Sequence, residues 1–181
     1  MLDGVEIEEA VNLIRAFLLA RNIDDKMEFI RTHTFLLSDD ALKLFDSIRD
    51  STLKKGDTDF AETLRHHRIM VERVRQVGIA QATRELHSLR LLETVHEFID
   101  CYSWMDSYIY LGEHPELRSE EALGFLITIG MRARDEGNKE GEKIAAAHYN
   151  LLRRVEQIGA EAAFSEVGGE DFRAALRRRG R

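Results

Sequence analysis

Seven histidines and one cysteine are the side chains in this 181-residue chain most able to ligate a metal or attack a substrate. His66 and His67 stand side by side, and neighbours on a helix point about 100° apart, so the pair cannot readily chelate one ion. The His-Glu-x-x-His spacing that puts two ligands on one helical face is absent. Cys101 would need a depressed pKa to act as a nucleophile, and a small buried thiol ordinarily behaves as a hydrophobe. The carboxylate pairs Glu8-Glu9, Asp24-Asp25, Asp39-Asp40 and Glu120-Glu121 fall near expected helix starts, where the macrodipole favours them. Their spacing gives no acid and base pair. Neither a Walker loop nor a dinucleotide-binding glycine fingerprint occurs, and the glycines of 56–59, 137–143 and 167–171 read as caps and turns. The chemistry expected is therefore none: no catalytic residue, no cofactor and no metal.

Basic residues offer a second kind of function. Arg65, Arg68, Arg73 and Arg75 share a helix with His66, and Arg177, Arg178 and Arg179 lie in a tail ending at Arg181. A nucleic-acid-associated regulator would use Arg65, Arg68 and Arg177–Arg179 against phosphates. Net charge is −7 with a pI near 5.5, and Glu72 interrupts the basic helix, so nucleic acid is the disfavoured partner. A single Cys excludes an internal disulfide and fits a reducing compartment. The start MLDGVEIEEAV is acidic where a signal peptide requires basic residues. No apolar run approaches the length needed to span a bilayer. A cytoplasmic, membrane-free protein is expected.

The elements that carry these residues repeat. LLSDDALKLF (36–45) aligns with LRSEEALGFL (117–126), and the same register continues ungapped from Phe17/Phe98 to Ala82/Ala163. Identical pairs include His33/His114, Ser38/Ser119, Ala41/Ala122, Gly56/Gly137, His67/His148, Arg73/Arg154 and Gly78/Gly159. The chain reads as a tandem duplication: a first unit over 1–78, a second over 79–159, and a C-terminal remnant and basic tail over 160–181. A recurring histidine is explained by a packing or capping role common to both units.

Each unit reads as four helices, so the fold class is all-α. In the first, Val5, Ile7, Val11, Ile14 and Leu18 return to one face of a helix over 5–20. A short helix over 24–34 follows. Ser38 N-caps a third, with Asp39 and Asp40 in its first turn, that ends at Gly56, and the fourth covers 58–77. The second unit repeats this at 79–101, 104–113, 119–136 and 139–158. Short connections pair consecutive helices as antiparallel hairpins in a right-handed superhelical stack. Gly168-Gly169 should break the helix begun at 160–167, leaving a short one over 170–178.

Trp104, His114-Pro115-Glu116-Leu117, Ser119-Glu120-Glu121-Ala122, Gly137, His148, Gly159 and Phe164 form a pattern that resembles the tetratricopeptide-like helical repeats of bacterial multidomain proteins. Such repeats often accompany caspase-like CHAT peptidase or nucleotide-binding signalling domains. The first unit departs from the pattern, with Ile23 for the Trp and HTFL (33–36) for HPEL. The resemblance implies an interaction scaffold or adaptor, regulatory in a signalling or peptidase system, and not a reaction.

The two copies also serve as controls for each other. Trp104 and Tyr108 of the aromatic stretch CYSWMDSYIY (101–110) match Ile23 and Met27, so they read as core. Tyr102, Met105 and Ile109 match Arg21, Asp24 and Glu28, and Ile127 and Met131 match Asp46 and Asp50. These five are apolar only in the second unit, and large uncovered apolar patches are uncommon on soluble monomers. Either the 168–181 segment, through Phe172 and Leu176, folds back over them as a cap, or they dock a protein partner or a second copy of the chain.

Overall fold

A computed structural model describes residues 4–179, with side chains from Glu6 onward. Met1–Asp3, Gly180, Arg181 and the side chain of Val5 lie outside the described residues. Within them the chain is all-α, without strands. The first helices are α1 (Gly4–Leu19), α2 (Ile23–Thr32), α3 (Asp39–Lys54) and α4 (Thr58–Val77). They are followed by α5 (Ile79–Ile99), α6 (Trp104–Glu113), α7 (Glu120–Asp135), α8 (Lys139–Ile158) and α9 (Ala160–Arg179). Short 3-10 turns at Thr34–Leu37 and Pro115–Arg118 lead into α3 and α7. No described helix is long and apolar enough to cross a membrane.

The bounds of α6, α7 and α8 are those of α2, α3 and α4 displaced by 81 positions, and the capping chemistry explains why. Ser38 Oγ accepts the Ala41 amide at 3.1 Å, and Ser119 Oγ accepts that of Ala122 at 3.2 Å. Asp57 and Asn138 cap α4 and α8 through the amides of Phe60 and Gly141. Each cap satisfies an amide that the helix leaves unpaired, for about 1 kcal/mol. One residue alone separates α4 from α5 and α8 from α9. Gly78 (φ 81°) and Gly159 (φ 85°) fill those positions, where a side chain would be strained. Two sequence expectations shift. The third helix ends at Lys54, two residues before Gly56, which takes the expected left-handed conformation (φ 82°) at its end, and α1 starts at Gly4, which moves Glu8 and Glu9 beyond its first turn.

The chain divides into two compact units, residues 1–87 and 88–181. The division falls inside α5. Its first half supplies Ile79, Ala82 and Leu86 to the first core, which is built on Ile14, Phe17, Ile30, Leu36 and Phe45. Its second half supplies Leu91, Val95 and Phe98 to the other core, with Leu111, Leu117, Leu123 and Phe164.

Matched aromatic–histidine pairs sit in both cores. His67 meets Phe17 edge-on at 5.6 Å, and His148 meets Phe98 at 5.0 Å. Each Nδ1 lies on a carbonyl four residues back, Thr63 at 2.8 Å and Ile144 at 2.9 Å. A carbonyl only accepts, so Nδ1 carries the proton, and each neutral ring leaves a buried Nε2 without a protein partner among the described residues. Burial pushes both pKa values down. His33 and His114 end α2 and α6, stacked on Phe29 at 4.2 Å and on Tyr110 at 4.1 Å. The recurring histidines do structural work.

Candidate functional site

In the first unit α3 packs on α4, and the face where they meet is held by charge. Arg49 reaches Asp46 at 3.1 Å and Asp50 at 2.9 Å, the two carboxylates flanking it on the same helix. From α4, Arg68 spans to Asp46 at 3.0 Å and binds Glu72 at 2.9 Å. Five side chains form one network. The hydrogen bonds that Arg49 donates to Asp50 raise the pKa of Arg49 and hold its charge.

The same positions of α7 and α8 hold Ile127, Gly130, Met131, Tyr149 and Arg153. Four of the five charged groups are gone, and Arg65 is matched by Ala146. What remains is an apolar groove of about 220 Å³. Leu126, Gly130, Ala145 and Ala146 line it along with Ile127, Met131 and Tyr149. Ile127 and Met131, one helical turn apart, are 48% and 60% exposed. A Cβ on Gly130 would meet Ala145 Cβ at an ordinary 3.5 Å, so packing does not demand the glycine. Its effect is to leave the floor open. Arg134, bound to Glu142 at 2.8 Å, makes a polar rim, and Arg153 lies 5.9 Å from the Tyr149 ring while holding Glu120 and Glu156.

The other three apolar candidates have a different fate. Tyr102 is fully exposed just ahead of α6, whereas Met105 and Ile109 are half-buried and Met105 packs against the second core. The cover on this side is α9, which packs on both α6 and α8. Gly169 (φ 58°, ψ −143°) kinks α9 where a side chain would be strained. A Cβ on Gly168 would approach Trp104 Cβ to 3.4 Å and Phe172 Cβ to 2.5 Å. Beyond the kink Phe172 is 3% exposed, stacked on Phe164 at 5.8 Å and edge-on to Tyr108 at 5.4 Å, with Leu176 beside the same core. Trp104 packs against His148 and Phe164. The cap thus packs on the side of α6, where Met105 joins the core and Tyr102 stays exposed, and Ile127 and Met131 on α7 remain open.

Cys101 is half-buried rather than buried, donates to the Glu97 carbonyl at 3.4 Å, and has its pKa raised by burial. The Tyr110 hydroxyl donates to Glu97 at 2.5 Å, and burial followed by that carboxylate raises its pKa. His66 sits at the surface beside Glu62, while His67 turns inward. No cluster of three or more potential metal ligands occurs among the described residues. On the basic side, Arg65 is bound by Glu62, Arg68 by Asp46 and Glu72, and Arg177 lies 3.8 Å from Glu170. Arg178 donates to the Ala174 carbonyl, and Arg179 is exposed at the end of α9.

The exchange of Arg49 for Gly130 and of Arg68 for Tyr149 escapes a reading that scores apolar gains on α6 and α7 only. The same 81-residue register, carried onto α8, exposes both. No family model matches the chain, and no curated protein or solved structure matches it either.

Proposed function

We propose that this chain is a non-catalytic protein–protein interaction scaffold or adaptor whose α7–α8 groove receives an apolar segment of a protein partner. The observation that carries this reading is the absence of the Asp46–Arg49–Asp50–Arg68 network at the matching positions of the second unit. Neutral side chains at four positions whose counterparts are mutually paired charges, with a glycine at the floor, make a surface that gains by excluding water. Ile, Met and Tyr are suited to such a contact, Met because its unbranched thioether adapts to irregular surfaces.

In this reading the chain is a tandem duplication of tetratricopeptide-like hairpins in a superhelical stack. The matching helix bounds and caps in the two units support the duplication. The resemblance of the second unit to repeats that accompany CHAT peptidase and nucleotide-binding domains suggests a bacterial signalling or peptidase system as the setting. The single half-buried thiol suits the cytoplasm.

Placing the first unit's residues into the groove tests the proposal, as Ile127→Asp with Met131→Asp. Both side chains are exposed, so the thermal transition should be retained. Proteins retained from host extract by the immobilised wild type should be lost from the double variant, and any self-association in sedimentation velocity should go with them. An unchanged set of retained proteins and an unchanged sedimentation profile would overturn the docking role.

A further inference from the structure

The first unit carries a different concavity, on the α1 side of the α3–α4 pair. It encloses about 580 Å³, within the range of small-molecule sites. Val11 and Leu18 from α1, Leu44 and Ile48 from α3, and the partly exposed Ile7 and Phe60 give it an apolar lining. At its mouth stand Arg15 of α1 and Lys55, just after α3, with the hydroxyls of Ser47 and Ser51. Neither Arg15 nor Lys55 has a carboxylate partner among the described residues. Arg49, Arg65, Arg68, Arg73 and Arg75 of the same unit are ion-paired, whereas Arg21, Lys26, Lys54 and Arg84 are not among the described residues, so what sets Arg15 and Lys55 apart is that both are unpaired and line the cleft. Asp57, the one carboxylate in the lining, is engaged in capping α4 at Phe60.

The second unit lacks this combination. Glu136 occupies the position of Lys55 and is bound at 2.8 Å by Arg132, which occupies that of Ser51. Phe125 stands for Leu44, packed on the core, and Gly141 replaces Phe60. Where the second unit has an exposed ion pair, the first has two cations without a carboxylate partner among the described residues beside an apolar cleft.

We infer that the α1–α3–α4 cleft of the first unit binds an amphipathic monoanion, an aliphatic carboxylate whose chain lies along Val11, Leu44 and Ile48 and whose head group meets Arg15 and Lys55. The site is independent of the α7–α8 groove and involves no covalent step.

Titration calorimetry of the full chain with octanoate, decanoate and dodecanoate, all below their micellar concentrations, tests this. One molecule should bind per chain. Each added methylene buries in the cleft and should tighten binding by up to about fourfold. Lys55→Gln and Arg15→Gln should each weaken dodecanoate by about two- to fivefold, and 1 M salt should reproduce the loss in the wild type. Lys54→Gln, outside the cleft, should leave binding unchanged. Leu44→Phe, the second unit's residue, should weaken all three probes by filling the floor, with its thermal transition followed in parallel. Equal binding of dodecanol and dodecanoate would overturn the role of the cations. No binding of dodecanoate at millimolar concentration, or binding unaffected by both charge variants, would overturn the site. So would binding of an acidic amphipathic helical peptide in place of dodecanoate.

Discussion

The α3–α4 face and the α7–α8 face occupy the same register and are built on helices whose bounds match at a displacement of 81 positions, yet one carries guanidinium–carboxylate pairs and the other is open and apolar. On the opposite side of the same hairpins the relation reverses, with an open cleft in the first unit and an Arg132–Glu136 pair in the second. The helices, their caps and the buried histidines are common property. The faces are not. In each unit the core positions hold apolar or matched aromatic residues, while surface positions differ between the units in groups of mutually contacting residues. A lone Asp46 without Arg49 and Arg68, or a lone Ile127 among charges, would lack partners.

The comparison breaks most sharply at the core. Phe172→Ala removes a buried ring that the first unit closes without, and should cost the second unit about 3–5 kcal/mol. Trp104, the only tryptophan, lies in that unit, so urea denaturation followed by its fluorescence isolates the loss. Gly169→Ala should show the same transition shifted by about 1–2 kcal/mol, the cost of forcing a Cβ into left-handed backbone.

Acid should also act more strongly on the second unit. His148 and His67 have pKa values lowered in the folded state by burial, so the unfolded chain binds the extra proton first. Their contribution is fully present above the unfolded value near 6.5 and is lost as pH falls from there toward the folded one. The slope should be at most about 1.4 kcal/mol per pH unit for each histidine. His148, 6% exposed, should dominate the Trp104-monitored transition, and His148→Asn should flatten it between pH 7 and 5. A slope unchanged by that substitution would mean another group is responsible.

The twin ion pairs should separate the units least. Arg73 grips Glu85 at 2.6 and 2.8 Å, and Arg154 grips Glu166 at 2.8 Å through both nitrogens. Arg73→Ala and Arg154→Ala should lower the melting temperature slightly and equally, and 1 M salt should erase both effects. Glu85, drawn down to about 2 first by Arg73 and then by Gln81, should keep its charge through mild acid.

Much of this was legible in one dimension. Ser38, Ser119, Gly78 and Gly159 announce helix ends by local chemistry alone, and the pairs Trp104/Ile23 and Tyr108/Met27 announce a core because both copies agree. Gly168-Gly169 announced a break. What local chemistry could not supply was where the segment after the break would land. Met105 and Tyr102 look alike in the register comparison, but α9 packs on the helix bearing one and leaves the other in solvent. The groove was half legible. Ile127 and Met131 stood out as apolar, whereas the floor at Gly130 matters only once α7 and α8 are side by side. The cleft lined by Val11, Ile48 and Phe60 needs three helices at once, and no single-helix periodicity reports it.

The kink at Gly169 has a colloidal consequence. His87 and Ser88 stand at the positions of Gly168 and Gly169 in the uninterrupted α5. With those residues α9 would run straight, carrying Phe172 and Leu176 away from Tyr108 and Phe164 and into water. Bent, the helix keeps Phe172 and Leu176 on its own chain. Straightened, it would offer both to any other molecule in reach, and the chain should associate at lower concentration than the native one.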